Sequence, residues 1–141
     1  MSLNKYMRYI VLLFLLFPVV MSAQKKLTVH VAGVTSDTGQ ILVAVYNKAE
    51  GFLKKGHAIK GFRTQAVAGV TEMEIYNLPE GQYALAIYHD ENSNDELDTN
   101  WLGIPKEPIG FSNAKMKAFG PPGFKDCAFS LDSDTQIQIE L

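Results

Sequence analysis

Leu27, Val29 and Val31 alternate with Thr28, His30 and Ala32, the period-two pattern of a strand that turns one face to a core. After a Thr-Ser-Asp-Thr-Gly turn at 35–39, residues 40–47 place Ile41, Val43 and Val45 on one face and Leu42, Ala44 and Tyr46 on the other. Both faces are apolar, which predicts a strand covered on both sides. Residues 50–61 hold three glycines and three lysines and follow neither period, so they predict a loop with room for one short turn of helix. Thr71, Met73 and Ile75 then alternate with Glu72 and Glu74, and an Asn-Leu-Pro-Glu-Gly turn at 77–81 leads into 82–89. There Tyr83, Leu85 and Ile87 point one way and Ala84, Ala86 and Tyr88 the other. The chain closes on Ile137, Ile139 and Leu141 alternating with Gln136, Gln138 and Glu140. From residue 24 onward no segment of ten residues sustains the helical period.

Short strands separated by Gly, Pro, Asn and Asp turns predict an all-β fold: an antiparallel β-sandwich, immunoglobulin-like or transthyretin-like, preferred by a small margin to a closed barrel. A parallel sheet would need crossover helices that the pattern lacks. The Leu-Pro-Glu-Gly-Gln-Tyr-Ala-Leu segment at 78–85 resembles the turn and strand of transthyretin-like and carboxypeptidase-regulatory-like sandwiches.

Composition adds the compartment. A chain of 141 residues, 47% hydrophobic and 20% charged, fills one core and not two. Its net charge of -2 gives nucleic acid no electrostatic foothold. At the N-terminus Lys5 and Arg8 precede an apolar run at 10–20 broken only by Pro18, followed by Ser22 and Ala23. The run is shorter than the ~20 residues of a spanning helix, so 1–23 is expected to be a signal peptide cleaved after Ala23. Residues 24–141 are then one sandwich domain, periplasmic or secreted, with no transmembrane span after cleavage. Losing Lys5 and Arg8 leaves that domain more acidic than the whole chain. Cys127 is the only cysteine, so neither an internal disulfide nor a cysteine zinc cage is available, and a small buried apolar role is expected.

The densest chemistry lies at 90–98. Asp90, Asn92, Asn94 and Asp98 stand at positions 1, 3, 5 and 9 of a calcium-loop template, with the carbonyl of Glu96 at position 7 and Leu97 as an apolar anchor. Alternate oxygen ligands in a tight loop converge on one hard cation. Asp95 stands where an EF-hand has glycine and Trp101 where it has glutamate, and no flanking helices are predicted, so an EF-hand proper is excluded. What remains is a calcium loop carried on a β scaffold, or a solvated turn of good turn formers.

His89-Asp-Glu-Asn, Leu97-Asp-Thr-Asn, Gly103-Ile-Pro-Lys-Glu-Pro, Gly110-Phe-Ser-Asn and Phe119-Gly-Pro-Pro together resemble the signature of the bacterial DUF2141 family of exported proteins, over about residues 27–141. That family's acidic segment usually reads D-E-N-G-N-G, so Ser93 and Asp95 replace glycines here. The resemblance implies a compartment and a class, and it brings no activity and no catalytic residues.

Four of the six prolines lie at 99–125, where Trp101, Ile104, Ile109, Phe111, Phe119 and Phe124 offer apolar anchors, which predicts one long ordered loop. Trp101, Phe111 and Phe119 could line a ligand groove, though pinning the loop to the sandwich is the favoured role. His30, His57 and His89 are dispersed, and His89 and Asp90, adjacent on a strand, point to opposite faces. No nucleophile or phosphate motif occurs. The expectation is an exported, non-enzymatic binding or structural module with a calcium-ordered acidic loop. The alternatives are a carbohydrate- or lipid-binding protein, or a small hydrolase, using the 99–125 loop.

Overall fold

The computed structural model describes residues 25–141, so the expected signal peptide at 1–23 lies outside the described residues. The alternating segments form β1 (Leu27–Val34), β2 (Gln40–Tyr46), β4 (Gly69–Ile75), β5 (Gly81–Asp90) and β8 (Thr135–Glu140). Between them stand β3 (Lys60–Gln65), β6 (Ile109–Phe111), a one-turn helix α1 (Phe124–Cys127) and β7 (Phe129–Leu131). One sheet has the order β4-β1-β8; the larger has the order β3-β2-β5-β6, with β7 also paired to β5. The two sheets pack face to face as a β-sandwich.

The inward alternation of each strand makes the core. Leu27, Val29 and Val31 of β1, Met73 and Ile75 of β4 and Ile139 of β8 meet Ile41, Val43 and Val45 of β2 and Tyr83, Leu85 and Ile87 of β5, all buried. Full burial of such a side chain is worth roughly 1.5–3 kcal/mol, so the period-two pattern carries most of what opposes chain entropy.

The pairing departs from expectation in one respect. β8 runs parallel to β1, with Val29 beside Ile137 and Val31 beside Ile139, whereas every other strand pair is antiparallel. No crossover helix is needed because most of the chain lies between the two strands. β3 starts at Lys60 and Gly61, the last residues of the segment expected to be loop, continues through 62–65, for which the pattern predicts no element, and is an edge strand with Phe62 as its sole core contact. Backbone pairing to β2 rather than an apolar face defines it, and Arg63 and Lys60 mark it as an exposed edge.

β6 closes the sandwich at a point that needs glycine. A Cβ on Gly110 would lie 2.6 Å from Ile139 Cγ2 and 2.7 Å from the Glu140 carbonyl oxygen. Its neighbours Ile109 and Phe111 therefore face the other way, onto the outer side of the larger sheet, opposite Tyr88 and Ala86.

Candidate binding cavity and acidic clasp

The outer face of the larger sheet is apolar where most sandwiches are polar, and the segment 91–128 folds back over it. Ala84, Phe111 and Cys127 form a buried cluster joined by Phe52, Ile109 and Phe124. Phe52 stands edge-on to Tyr46 at 5.1 Å and to Phe124 at 5.7 Å between ring centres. Ser112, fully buried, staples this lid to the sheet: its Oγ accepts from Leu85 N at 2.9 Å and donates to the Cys127 carbonyl at 2.6 Å. The Cys127 thiol is pushed up to about 11 by burial and by Asp126, so it stays protonated and packs as the small apolar residue expected.

The lid covers only part of the face. Beside it opens a cavity of about 570 Å³ floored by Ala44, Tyr46, Ala86, Tyr88, Ile109 and Phe111. Its depth comes from alanine at two positions where neighbouring strands could carry larger side chains. Leu53, Leu97, Pro105, Met116 and Pro121 form the walls, and Lys55, Asp95 and Glu96 border the mouth. The Tyr88 phenol is pushed up to about 12, by desolvation first and then by Asp90, Glu107, Asp95 and Glu96. It is therefore a neutral hydroxyl in an otherwise apolar wall.

Of the three aromatics weighed for a groove, Phe111 alone lines this cavity. Trp101 is 90% exposed and Phe119 105%, so neither lines a groove nor pins the loop. Each sits at the tip of a tight turn, closed by the Thr99–Pro105 and Lys117–Gly120 bridges, and a turn tip points away from the sheet that supports it. Ile104, 55% exposed, is likewise no anchor, whereas Ile109, Phe111 and Phe124 pack as the loop's contacts.

At 90–98 the structure builds a clasp. Asp90, at the outer end of β5, is fully buried. Its carboxylate accepts from Asn94 N at 3.1 Å, Asp95 N at 2.9 Å and Gln40 Nε2 at 3.0 Å. Desolvation pushes this carboxyl up, but the bonds from Gln40 and from the Asp95, Asn94 and Ser93 amides outweigh it and hold the group below its ordinary value. Asn92 Nδ2 and Asn94 Nδ2 donate to Asp98 at 2.7 and 3.2 Å, while the oxygens of Asn92 and Asn94 accept from the Asn94 and Glu96 amides. Glu96 pairs with Lys55 at 3.0 Å. Asn92, Asn94 and Asp98 thus come together through amide donors, with Asp90 serving the loop backbone and Glu96 turned to Lys55. Among the described residues no three His, Cys, Asp or Glu side chains form a group able to hold a metal ion.

Ser93 and Asp95 adopt φ of 57° and 63°, the left-handed region that glycine occupies without cost. Asp95 offsets its strain by accepting from Arg63 Nη1 at 2.9 Å and Gln40 Nε2 at 2.7 Å. Glu107 is the residue that sequence reasoning missed. Buried, it accepts from Glu91 N at 3.1 Å and Asp98 N at 3.0 Å, closing the loop across its base. Its signal was present: it is the only acid between 99 and 125.

The histidines are apart. His89 is buried on the core face with Nε2 2.7 Å from the Thr38 carbonyl oxygen, and His30 lies beside Glu72 at 3.4 Å. His89 and Asp90 do point to opposite faces. No helix among the described residues is long and apolar enough to cross a membrane.

The sequence profile of one family, described as an uncharacterized protein conserved in bacteria (DUF2141), matches residues 29–139. No curated protein matches the chain, and no solved structure does. The match runs from within β1 to within β8 and takes in the clasp and the cavity, and the chain belongs to the DUF2141 family.

Proposed function

We propose that the protein is an exported, non-enzymatic binding module that takes a small amphipathic ligand, a fatty acyl chain being the simplest, in the cavity on the outer face of the larger sheet. The observation that carries this reading is the apolar floor of Ala44, Tyr46, Ala86, Ile109 and Phe111, left open within a cavity of about 570 Å³. That volume falls in the ordinary range of small-molecule sites, roughly 300–1,000 Å³. Tyr88 supplies a neutral donor and Lys55 a cation at the mouth for the ligand's polar end. The apolar floor favours an acyl chain over a sugar, which would need more polar partners. The leader-like pattern at 1–23 supports export, and the dispersal of the histidines supports binding without catalysis.

Displacement of anilinonaphthalene sulfonate by medium-chain fatty acids tests the reading. The wild type is expected to bind the dye and release it to the acid, and Ala86→Phe, which fills the floor, to weaken both by about tenfold. Failure of the fatty acids to compete, or equal binding by the variant, would remove the proposal.

Calcium at Asp90, Asn92, Asn94, Glu96 and Asp98 is the second reading, favoured by the approach of the Asn92 and Asn94 side chains to Asp98. A cation there must displace those amide donors and turn both amides over. With a dissociation constant of about 10⁻⁴ M and roughly millimolar calcium, the gain is about 1.4 kcal/mol. Titration into metal-stripped protein should then raise the melting temperature, and Asp98→Ala should abolish the rise. An unchanged melting temperature at millimolar calcium would end this reading.

A further inference from the structure

Two tight turns border the cavity, and both expose what a soluble surface ordinarily hides. In the first, Trp101, Leu102 and Ile104 are 90%, 60% and 55% exposed. Asn100 satisfies the backbone of this turn almost alone. Its Oδ1 accepts from Leu102 N at 2.9 Å and Ile104 N at 3.0 Å, its carbonyl accepts from Gly103 N at 2.9 Å, and its own N–H donates to Ile104 O. In the second turn Lys117 and Gly120 exchange backbone hydrogen bonds, and Phe119 projects with full exposure beyond Met116. Gly103 and Pro105 of one turn and Met116 and Pro121 of the other line the same cavity, so the two turns lie at one opening.

The charge on this segment is equally one-sided. Residues 99–125 carry Lys106, Lys115, Lys117 and Lys125 against one acid, Glu107, and Glu107 is buried at the base of the clasp. All the exposed ionised side chains of the segment are therefore cationic, in a chain of net charge -2. Lys115 and Lys117 contact Glu140 and Asp126 only through exposed pairs, which are weak and exchange readily for other anions. Asp95 and Glu96, on the acidic side of the mouth, are paired with Arg63 and Lys55.

We propose that the 100–104 and 117–120 turns insert into the interfacial layer of a bilayer containing anionic phospholipid, with the lysines on the headgroups. Three features select a bilayer over a protein partner. In the first turn the Leu102, Gly103 and Ile104 amides are all bonded to Asn100, so they leave water without the penalty that lipid imposes on unpaired amides. An indole at a protruding tip matches the interfacial preference of tryptophan. Cations flanking an apolar tip match anionic headgroups. The docking does not depend on the cavity's holding a ligand.

Trp101 is the only tryptophan in the chain, so its fluorescence reports on one turn alone, whatever residues 10–20 do in lipid. Vesicles of phosphatidylethanolamine and phosphatidylglycerol should shift its emission to the blue, and acyl-brominated lipid should quench it. Leu102→Asp with Phe119→Asp, both at exposed tips, should reduce that quenching about tenfold, while Ala86→Phe should leave it unchanged. Absence of quenching in the wild type would overturn the proposal, and so would equal quenching in phosphatidylcholine vesicles, which lack the anionic headgroup. A blue shift that follows protein concentration without vesicles would also overturn it, in favour of a second copy of the chain as the occupant.

Discussion

Gly39→Ala is expected to lower the unfolding free energy by about 3 kcal/mol, the sum of a backbone cost and a steric one. Gly39 has φ +73°, and a Cβ built there would lie 2.0 Å from the Asp90 carbonyl oxygen, 2.7 Å from Glu91 Cα and 2.9 Å from the Asp90 carbonyl carbon. All three obstacles are backbone, so no rotamer change relieves them. The turn between β1 and β2 is held against the end of β5 from both sides of this glycine: the Thr38 carbonyl faces His89 Nε2 at 2.7 Å, and Gln40 Nε2 reaches Asp90 at 3.0 Å. Gly56→Ala is the control, because Gly56 has φ +80° with nothing within 4 Å of a Cβ. It should show only the left-handed cost, about 1 kcal/mol. Urea denaturation of both variants separates the two contributions, and equal losses would show that the approach of β5 to the turn is not what demands glycine.

The strands that alternation announced are those that build the core, because only burial of one face imposes a period of two. β1, β2, β4, β5 and β8 have that property. β6 and β7 are three residues each and α1 is four, too short for any period to show, and β3 is held by its backbone with one apolar contact, Phe62. The parallel placement of β8 left no mark because side-chain alternation is the same in either direction. The second apolar face of β2 and β5 was legible at Ala44, Ala86 and Tyr88, and it did mean cover on both sides. That the cover would stop short and leave a cavity depends on which loop residues reach back to the sheet. Aromatic residue type could not say so: Phe111 lies in a strand and packs, while Trp101 and Phe119 have the same chemistry but occupy turn tips. At the clasp, residue type picked out Asp90 and spacing grouped its neighbours, but the number of backbone amides that would converge on Asp90 could only be seen once the loop was closed by Glu107.

Asp90→Ala is therefore expected to cost about 3 kcal/mol, because it leaves the Asn94 and Asp95 amides and the Gln40 side chain without their acceptor at the buried end of β5. Asp98→Ala, whose partners Asn92 and Asn94 can turn to water, should fall within the spread of ordinary surface substitutions. The ratio of the two losses separates a clasp from a cation site in metal-free protein, since equal ligands of an absent ion would have no reason to differ so widely. The two variants should also differ in acid. The Asp90 carboxyl titrates lower in the folded protein than in the unfolded chain, so the unfolded state takes up its proton first and stability falls with pH. Its contribution is fully present above the unfolded value of about 3.9 and is lost as pH falls through the lower folded value. Wild-type stability should thus decline more steeply below about pH 4 than that of Asp90→Ala, and the protection of the Asn94 and Asp95 amides against hydrogen exchange, relative to the intrinsic rate at each pH, should fall over the same interval. If Asp90→Ala matched the wild type both in stability at neutral pH and in acid slope, those amides would have to find their partners elsewhere, and Asp90 would not be what holds the loop that borders the cavity.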